Sequence, residues 1–205
     1  QKAQAAVVLW AIATGRHWVE IYNEGLVEDM YFDAFVTLDG GYDYILHPDK
    51  ARHVFQKQGA KKPKDYHFLI DEARLPLPYF DPKNGEVLLQ EAIPGEMVEN
   101  VLAMAEENTF PILFLEERRL YANFVNDALL RCLSEIKSGL PPILPLSEAR
   151  KNPLYMLIPV LNEAQVEELE KRIPDCHLVR WSDGLSFDVT KRNISKVSGI
   201  EAICK

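Results

Sequence analysis

Cysteine is scarce and never paired in this chain. Cys132, Cys176 and Cys204 are its only three. None stands in C-x-x-C spacing, which argues against a zinc site or a disulfide framework and fits a reducing compartment. Positive charge is also in deficit. Lys and Arg number 23 against 31 Asp and Glu, a formal net charge of -8. That is the wrong sign for a protein whose main partner is nucleic acid, because phosphate contact needs a clustered basic surface. The one basic cluster, Lys57 to Lys64, is local and reads as a solvated loop. His17, His47, His53, His67 and His177 show no H-x-x-x-H spacing, so no metal is expected on them. Long apolar runs are missing too. The longest, Ala5 to Ala13, falls well short of the roughly 20 residues that span a bilayer, and no signal-peptide pattern accompanies it. The expectation is a soluble, cytoplasmic protein that binds neither membrane nor nucleic acid.

What is present is a foldable core. Hydrophobic residues make up 47% of 205 positions, enough for one large domain or two small ones and too many for a disordered chain. Val7–Ala13 is a continuous apolar run, as expected of a strand covered on both faces. Trp18, Ile21, Tyr22 and Leu26 follow at helical spacing, and Ala34–Leu38 reads as a second buried strand ending in the turn Asp39-Gly40-Gly41. A strand–helix–strand unit of this kind builds parallel sheet. Segment 45–79 carries a short candidate strand, His67–Ile70, and otherwise no assignable pattern. A tight turn, Asp81-Pro82-Lys83-Asn84-Gly85, leads into a strand at Glu86–Gln90.

The pattern then becomes regular. Pro94 opens a helix with Met97, Val98, Val101, Leu102 and Ala105 in one stripe. Ile112–Leu115 and Leu120–Val125 form a strand pair. Asn126 caps a helix that stops near Gly139, Leu154–Val160 is a strand, and Asn162 with Gln165 starts another helix in a capping box. His177–Trp181 and Leu185–Val189 form a hairpin across Ser182-Asp183-Gly184. Ser195 begins a last helix, with Ile200 and Ile203 expected inward. Residues 86–190 thus read β-α-β-β-α-β-α-β-β, an α+β module with an antiparallel sheet and helices on one face.

Two places carry the chemistry. Ala13-Thr14-Gly15-Arg16 ends the first strand, and open α/β sheets bind ligands at the carboxyl ends of their strands. A threonine there hydrogen-bonds a phosphate oxygen while the glycine lets backbone approach closely; a strand ending in a helix-capping threonine is the plain alternative. Lys196 opens the last helix, where it can reach back over a phosphate or simply lie in solvent. Val36-Thr37-Leu38-Asp39-Gly40-Gly41 and Phe68-Leu69-Ile70-Asp71-Glu72-Ala73 mimic a phosphatase nucleophile loop. Both lack the second aspartate that would serve as acid/base beside a metal ion. Arg180-Trp181 and Phe187-Asp188 sit on adjoining strands, either as sheet packing or as a substrate-facing rim.

Taken in order, Ala11 to Arg16, Phe35 to Gly41, Asn84 to Val87 running into Ala92-Ile93-Pro94, Arg180-Trp181 with Phe187-Asp188-Val189, and Ile194 to Ile200 resemble the Cof-type sugar-phosphate phosphatases of the haloacid dehalogenase superfamily. The resemblance covers 1–44 and about 80–205. It implies an α/β fold: a partial Rossmann-like core, 1–41 and 190–205, with a large inserted α+β cap at 42–189 that includes the extra segment 45–79. It further implies Mg²⁺-dependent hydrolysis of a small phosphorylated metabolite through an aspartyl-phosphate. Thr14 and Lys196 match the phosphate-binding threonine and lysine. Asp39 falls in the substrate loop, where the family usually has Asn, with Gly15 and Gly40 beside it, and Arg16, Arg180 and Asp188 are expected near the core–cap cleft. The departures are as informative. The D-x-D-G-T loop expected upstream and the G-D-x-x-N-D loop expected downstream are not in this chain, and Val197 replaces a usual glycine. The expectation is therefore a piece of a longer enzyme, inactive alone, with nucleophile and metal ligands elsewhere. The alternative is a non-catalytic module that binds a sugar phosphate or a protein.

Overall fold

The computed structural model describes residues 9–23, 32–47 and 85–205. The expected helix beyond Asn23, the strand at His67–Ile70, residues 81–84 of the turn and the start of the first strand lie outside them. The first sheet has the order β1 (Ala11–Ala13), β2 (Ala34–Thr37), β3 (Tyr42–Leu46), β4 (Gly85–Gln90). β1 and β2 are parallel, as the strand–helix–strand pattern requires, and α1 (Trp18–Asn23) lies between them in sequence. The other two pairings are antiparallel. The second sheet is wholly antiparallel: β5 (Ile112–Glu116), β6 (Leu120–Ala122), β7 (Leu154–Pro159), β8 (Cys176–Arg180) and β9 (Phe187–Lys191), in the order β6-β5-β7-β9-β8. Helices α2 (Gly95–Asn108), α3 (Asp127–Glu135) and α4 (Glu163–Arg172) punctuate it, and α5 (Lys196–Ile203) follows.

The succession β-α-β-β-α-β-α-β-β is present, but divided. Its first strand, β4, joins β3 in the first sheet. The helices are also not confined to one face. Alternate residues of β5 show why. Ile112 and Phe114 face α2 and α4, packing with Met97, Val101, Leu102, Val166 and Leu169. Leu113 and Leu115 face the other way, onto Leu129, Cys132 and Leu133 of α3 and onto Trp18, Leu38 and Tyr42 of the first unit. Every residue of β5 is therefore buried, as in a strand covered on both faces.

Two sequence expectations are corrected. The strand ending at Ala13 is not covered on both faces: Ala11 and Ala13 are exposed and Ile12 is half-buried, because β1 is the outer strand of the described sheet. Helix α5 does not turn Ile200 inward either. Ile200 is 44% exposed and Val197 63% exposed, and Ile203 is only half-buried. The residue that α5 buries is Gly199. A Cβ there would stand 2.5 Å from Asp43 Oδ2 and 2.6 Å from Val36 Cγ1, so glycine lets this helix lie closer to the sheet than an apolar stripe would allow. Among the described residues no helix is long and apolar enough to cross a membrane.

Candidate active site

The carboxyl end of β1 meets the turn after β2. Thr14 N–H donates to Val36 O at 2.9 Å, and Asp39 N–H and Leu38 N–H return bonds to Thr14 O and Arg16 O at 3.2 and 3.3 Å. The Thr14 hydroxyl accepts from Arg16 N–H at 3.1 Å, which leaves its own proton to donate. Leu38, Asp39 and Gly40 take φ values of 51°, 56° and 91°. Two consecutive non-glycine residues in the left-handed region are strained. The conformation lets the turn fit under α5: a Cβ on Gly40 would sit 2.2 Å from Ser195 O. Ser195 caps α5, accepting from Ser198 N–H at 3.2 Å and donating its own N–H to Ser198 Oγ at 3.0 Å. The turn and the cap together place Lys196 over Asp39, with Nζ 2.7 Å from Oδ1.

A cavity of about 200 Å³ opens at this junction, lined by Thr14, Gly15, Arg16, Asp39, Asp188 and Lys196 on its polar side. Glu20 completes that side; Leu113, Leu120, Ile136, Ile158 and Trp181 form the apolar side. Arg16 Nη1 lies 3.9 Å from Glu20 Oε1, and Arg16 Nη2 donates to Ile136 O. Glu20 is further held by Ser138 Oγ at 2.6 Å and by His17 N–H at 2.9 Å. Burial first, and the neighbouring Asp39 charge second, push Asp188 up to about 7.

Seven of the residues singled out from the sequence, Trp181 among them, thus meet in one cavity, drawn from both ends of the chain. Gly40 supports it from beneath without lining it. Arg180 lies elsewhere. Its guanidinium pairs with Glu163 at 2.5 and 2.8 Å, donates to Gly184 O and covers the Phe187 ring. Arg180 pairs in register with Phe187, not with Asp188, and successive residues of a strand face opposite sides. Asp188 therefore faces the cavity while Phe187 and Arg180 face α4. Glu20 was not singled out from the sequence, although its i,i+4 spacing from Arg16 was a usable signal. On the apolar wall only Trp181 reads from the sequence as a possible rim residue; Leu113, Leu120, Ile136 and Ile158 look like any other core positions.

A sequence profile described as haloacid dehalogenase-like hydrolase matches residues 78–205. The chain belongs to that family. Its fold is similar to a superfamily subclass IIB sugar phosphatase at 22% identity and a TM-score of 0.66, covering 98% of this chain and 64% of that one. A superfamily phosphatase from Bacteroides thetaiotaomicron gives 16% and 0.66, with 99% and 61% covered. A HAD/COF-like hydrolase from Plasmodium vivax gives 16% and 0.63, with 98% and 62% covered. The chain therefore spans less than two thirds of the length of each. No curated protein matches it by sequence. The family's use of Mg²⁺ does not fit the described residues. Among them no group of three or more His, Cys, Asp or Glu side chains could hold a metal ion, and Asp39, in the cavity, is taken up by Lys196.

Proposed function

We propose that this haloacid dehalogenase-like chain supplies the phosphate-holding part of a phosphatase that hydrolyses a small phosphorylated metabolite, with a sugar phosphate as the class its resemblance favours. One observation carries the reading: Thr14 and Lys196, from opposite ends of the sequence, line one cavity. In this reading the Thr14 hydroxyl and the Lys196 ammonium each take a phosphoryl oxygen. Charge-assisted bonds of this kind are about twice as strong as neutral ones. Gly15 and Arg16 border the phosphate, and Asp39 and Asp188 face the leaving group. The attacking carboxylate, which would form an aspartyl-phosphate, and the Mg²⁺ ligands that offset phosphate charge belong to residues outside this chain.

The test has two arms. The 205-residue chain should show no Mg²⁺-dependent turnover of p-nitrophenyl phosphate; measurable turnover would overturn the placement of the nucleophile elsewhere. Inorganic phosphate should bind the chain, and Lys196→Ala should weaken that binding about tenfold or more, from the loss of one charge-assisted bond. Equal affinity in both proteins would remove Lys196 from the phosphate site.

A further inference from the structure

The cavity that Thr14 and Lys196 share has two unlike walls. The wall opposite them, Leu113, Leu120, Ile136, Ile158 and Trp181, is apolar. It is built on one face of the second sheet. Leu113 of β5 stands directly opposite Ile158 of β7, and Leu120 of β6 stands opposite Leu115, two residues along from Leu113. Residues two apart on a strand share a face. Leu113, Leu115, Leu120 and Ile158 accordingly belong to one apolar cluster, against which Ile136 and Trp181 pack. The backbone of this wall is as closed to a polar ligand as its side chains are. β5 lies between β6 and β7, and β7 between β5 and β9. Backbone N–H and C=O groups in a sheet point sideways to neighbouring strands, not out of its face. Ile136 N–H donates to Cys132 O, and its carbonyl accepts from Arg16 Nη2. Trp181 N–H donates to Ser186 O, and its carbonyl accepts from Gly184 N–H. Among these five residues the indole N–H of Trp181 is the one side-chain group able to hydrogen-bond.

We propose that the leaving group accepted here is a largely apolar alcohol, alkyl or arylalkyl, and that Trp181 is the residue that selects it. The inference rests on the phosphate-holding reading above and narrows its substrate class, away from the sugar that resemblance favours. A sugar carries hydroxyls around its whole ring. Asp39 and Asp188 can accept from those nearest the phosphate. The further ones would lie against Leu113, Leu120, Ile136 and Ile158, which offer them nothing. Each hydroxyl buried without a partner weakens binding by about tenfold or more. An apolar group in the same place reverses the sign, because its own surface and that of the wall leave water together. Trp181 supplies the largest apolar surface of the wall, and an indole also stacks with a second ring. The cavity is about 200 Å³, so phosphate and a single small ring would occupy most of it. The polar lining is thereby left to the phosphoryl end: Thr14 and Lys196 on its oxygens, with Gly15 and Arg16 at its border.

The test is calorimetric titration of the 205-residue chain with inorganic phosphate, glucose 6-phosphate and benzyl phosphate at one pH and ionic strength. The two esters carry the same charge, so their difference reports the leaving group alone. Benzyl phosphate should bind about tenfold more tightly than glucose 6-phosphate, or better. Trp181→Ala should remove most of that preference and leave inorganic phosphate binding unchanged, while Trp181→Phe, which keeps a ring, should retain it. Ile136→Asn, at a half-buried position, places an amide on the wall and should narrow the preference from the sugar side; it tests the wall independently of whether Trp181→Ala folds. Glucose 6-phosphate binding as tightly as benzyl phosphate, with inorganic phosphate bound, overturns this inference and leaves the phosphate reading standing. A preference for benzyl phosphate that survives both Trp181→Ala and Ile136→Asn overturns the assignment to this wall. No binding of any of the three overturns the phosphate reading and this inference with it.

Discussion

Gly199 and Asp43 form a matched pair beneath Lys196. Asp43 is fully buried, and among the described residues neither carboxyl oxygen has a hydrogen-bond partner. Burial raises it to about 7. The glycine leaves only enough room for that carboxyl and for Val36. Gly199→Ala should therefore destabilise the protein by about 1–3 kcal/mol, as overpacking of a tight contact does. Asp43→Ala removes the atom 2.5 Å from the new methyl group. In the double variant the loss should be smaller than the sum of the singles by about 1 kcal/mol, since contacting residues couple. Urea denaturation of the four proteins measures this, and additive losses would show that the clash relaxes through Val36 instead. Ile200 and Ile203 made α5 look like an amphipathic helix in the sequence. Gly199, just before them, sets the packing, and no hydrophobic pattern reports how closely two backbones approach.

Local signals in the sequence translated well into elements. Asn126 accepts from Leu129 N–H at 3.0 Å, and Asn162 and Gln165 close the expected capping box. Such signals need only three or four neighbouring residues, which the sequence holds entire. The choice of neighbour was less legible. Nothing in Glu86–Gln90 tells which sheet it joins, and nothing in α3 tells which face of the second sheet it covers. The side of β8 that Arg180 takes depends on register with β9, set from outside the strand. Two caps of like chemistry should thus differ in consequence. Asn162→Ala and Ser195→Ala should each cost about 1 kcal/mol of stability. Asn162 lies on the α4 side, away from the cavity, so its variant should bind inorganic phosphate as the parent does. Ser195 sits against Gly40 and one residue before Lys196, so its variant should bind phosphate several-fold more weakly. Calorimetric titration compares the two, and equal phosphate affinities would show that the cap does not set the position of Lys196.

The seam between the two sheets combines apolar packing of Trp18, Leu38 and Tyr42 on Leu113 and Leu115 with a set of polar bonds. His17 Nε2 lies 2.7 Å from Glu116 O, Trp18 Nε1 donates to Glu117 O at 2.8 Å, and the Tyr42 hydroxyl reaches Glu117 Oε1 at 3.1 Å. Since a carbonyl only accepts, the bonded His17 nitrogen carries the proton. The ring is fully buried, and burial holds its pKa down to about 4, against a smaller upward pull from the Glu116 and Glu117 carbonyls. The folded chain therefore resists a proton that the unfolded chain accepts from about pH 6.5 downward. The stability contributed by neutral His17 is whole above about pH 6.5 and is lost as pH falls from there towards 4, by at most about 1.4 kcal/mol per pH unit. Asp43 and Asp188, both raised to about 7, act in the opposite sense over much of that range, because their protonated forms favour the folded state. The bare pH profile therefore mixes the two, and the difference between the parent and His17→Gln isolates the histidine. Gln keeps a donor for Glu116 O but cannot take up the charge. The parent should lose stability relative to this variant as pH falls from 7 to 4.5, and hydrogen exchange should open first at α1 and at 116–120 across the seam. A stability difference that stays constant over that range would mean that His17 is not the group that loosens the seam in acid.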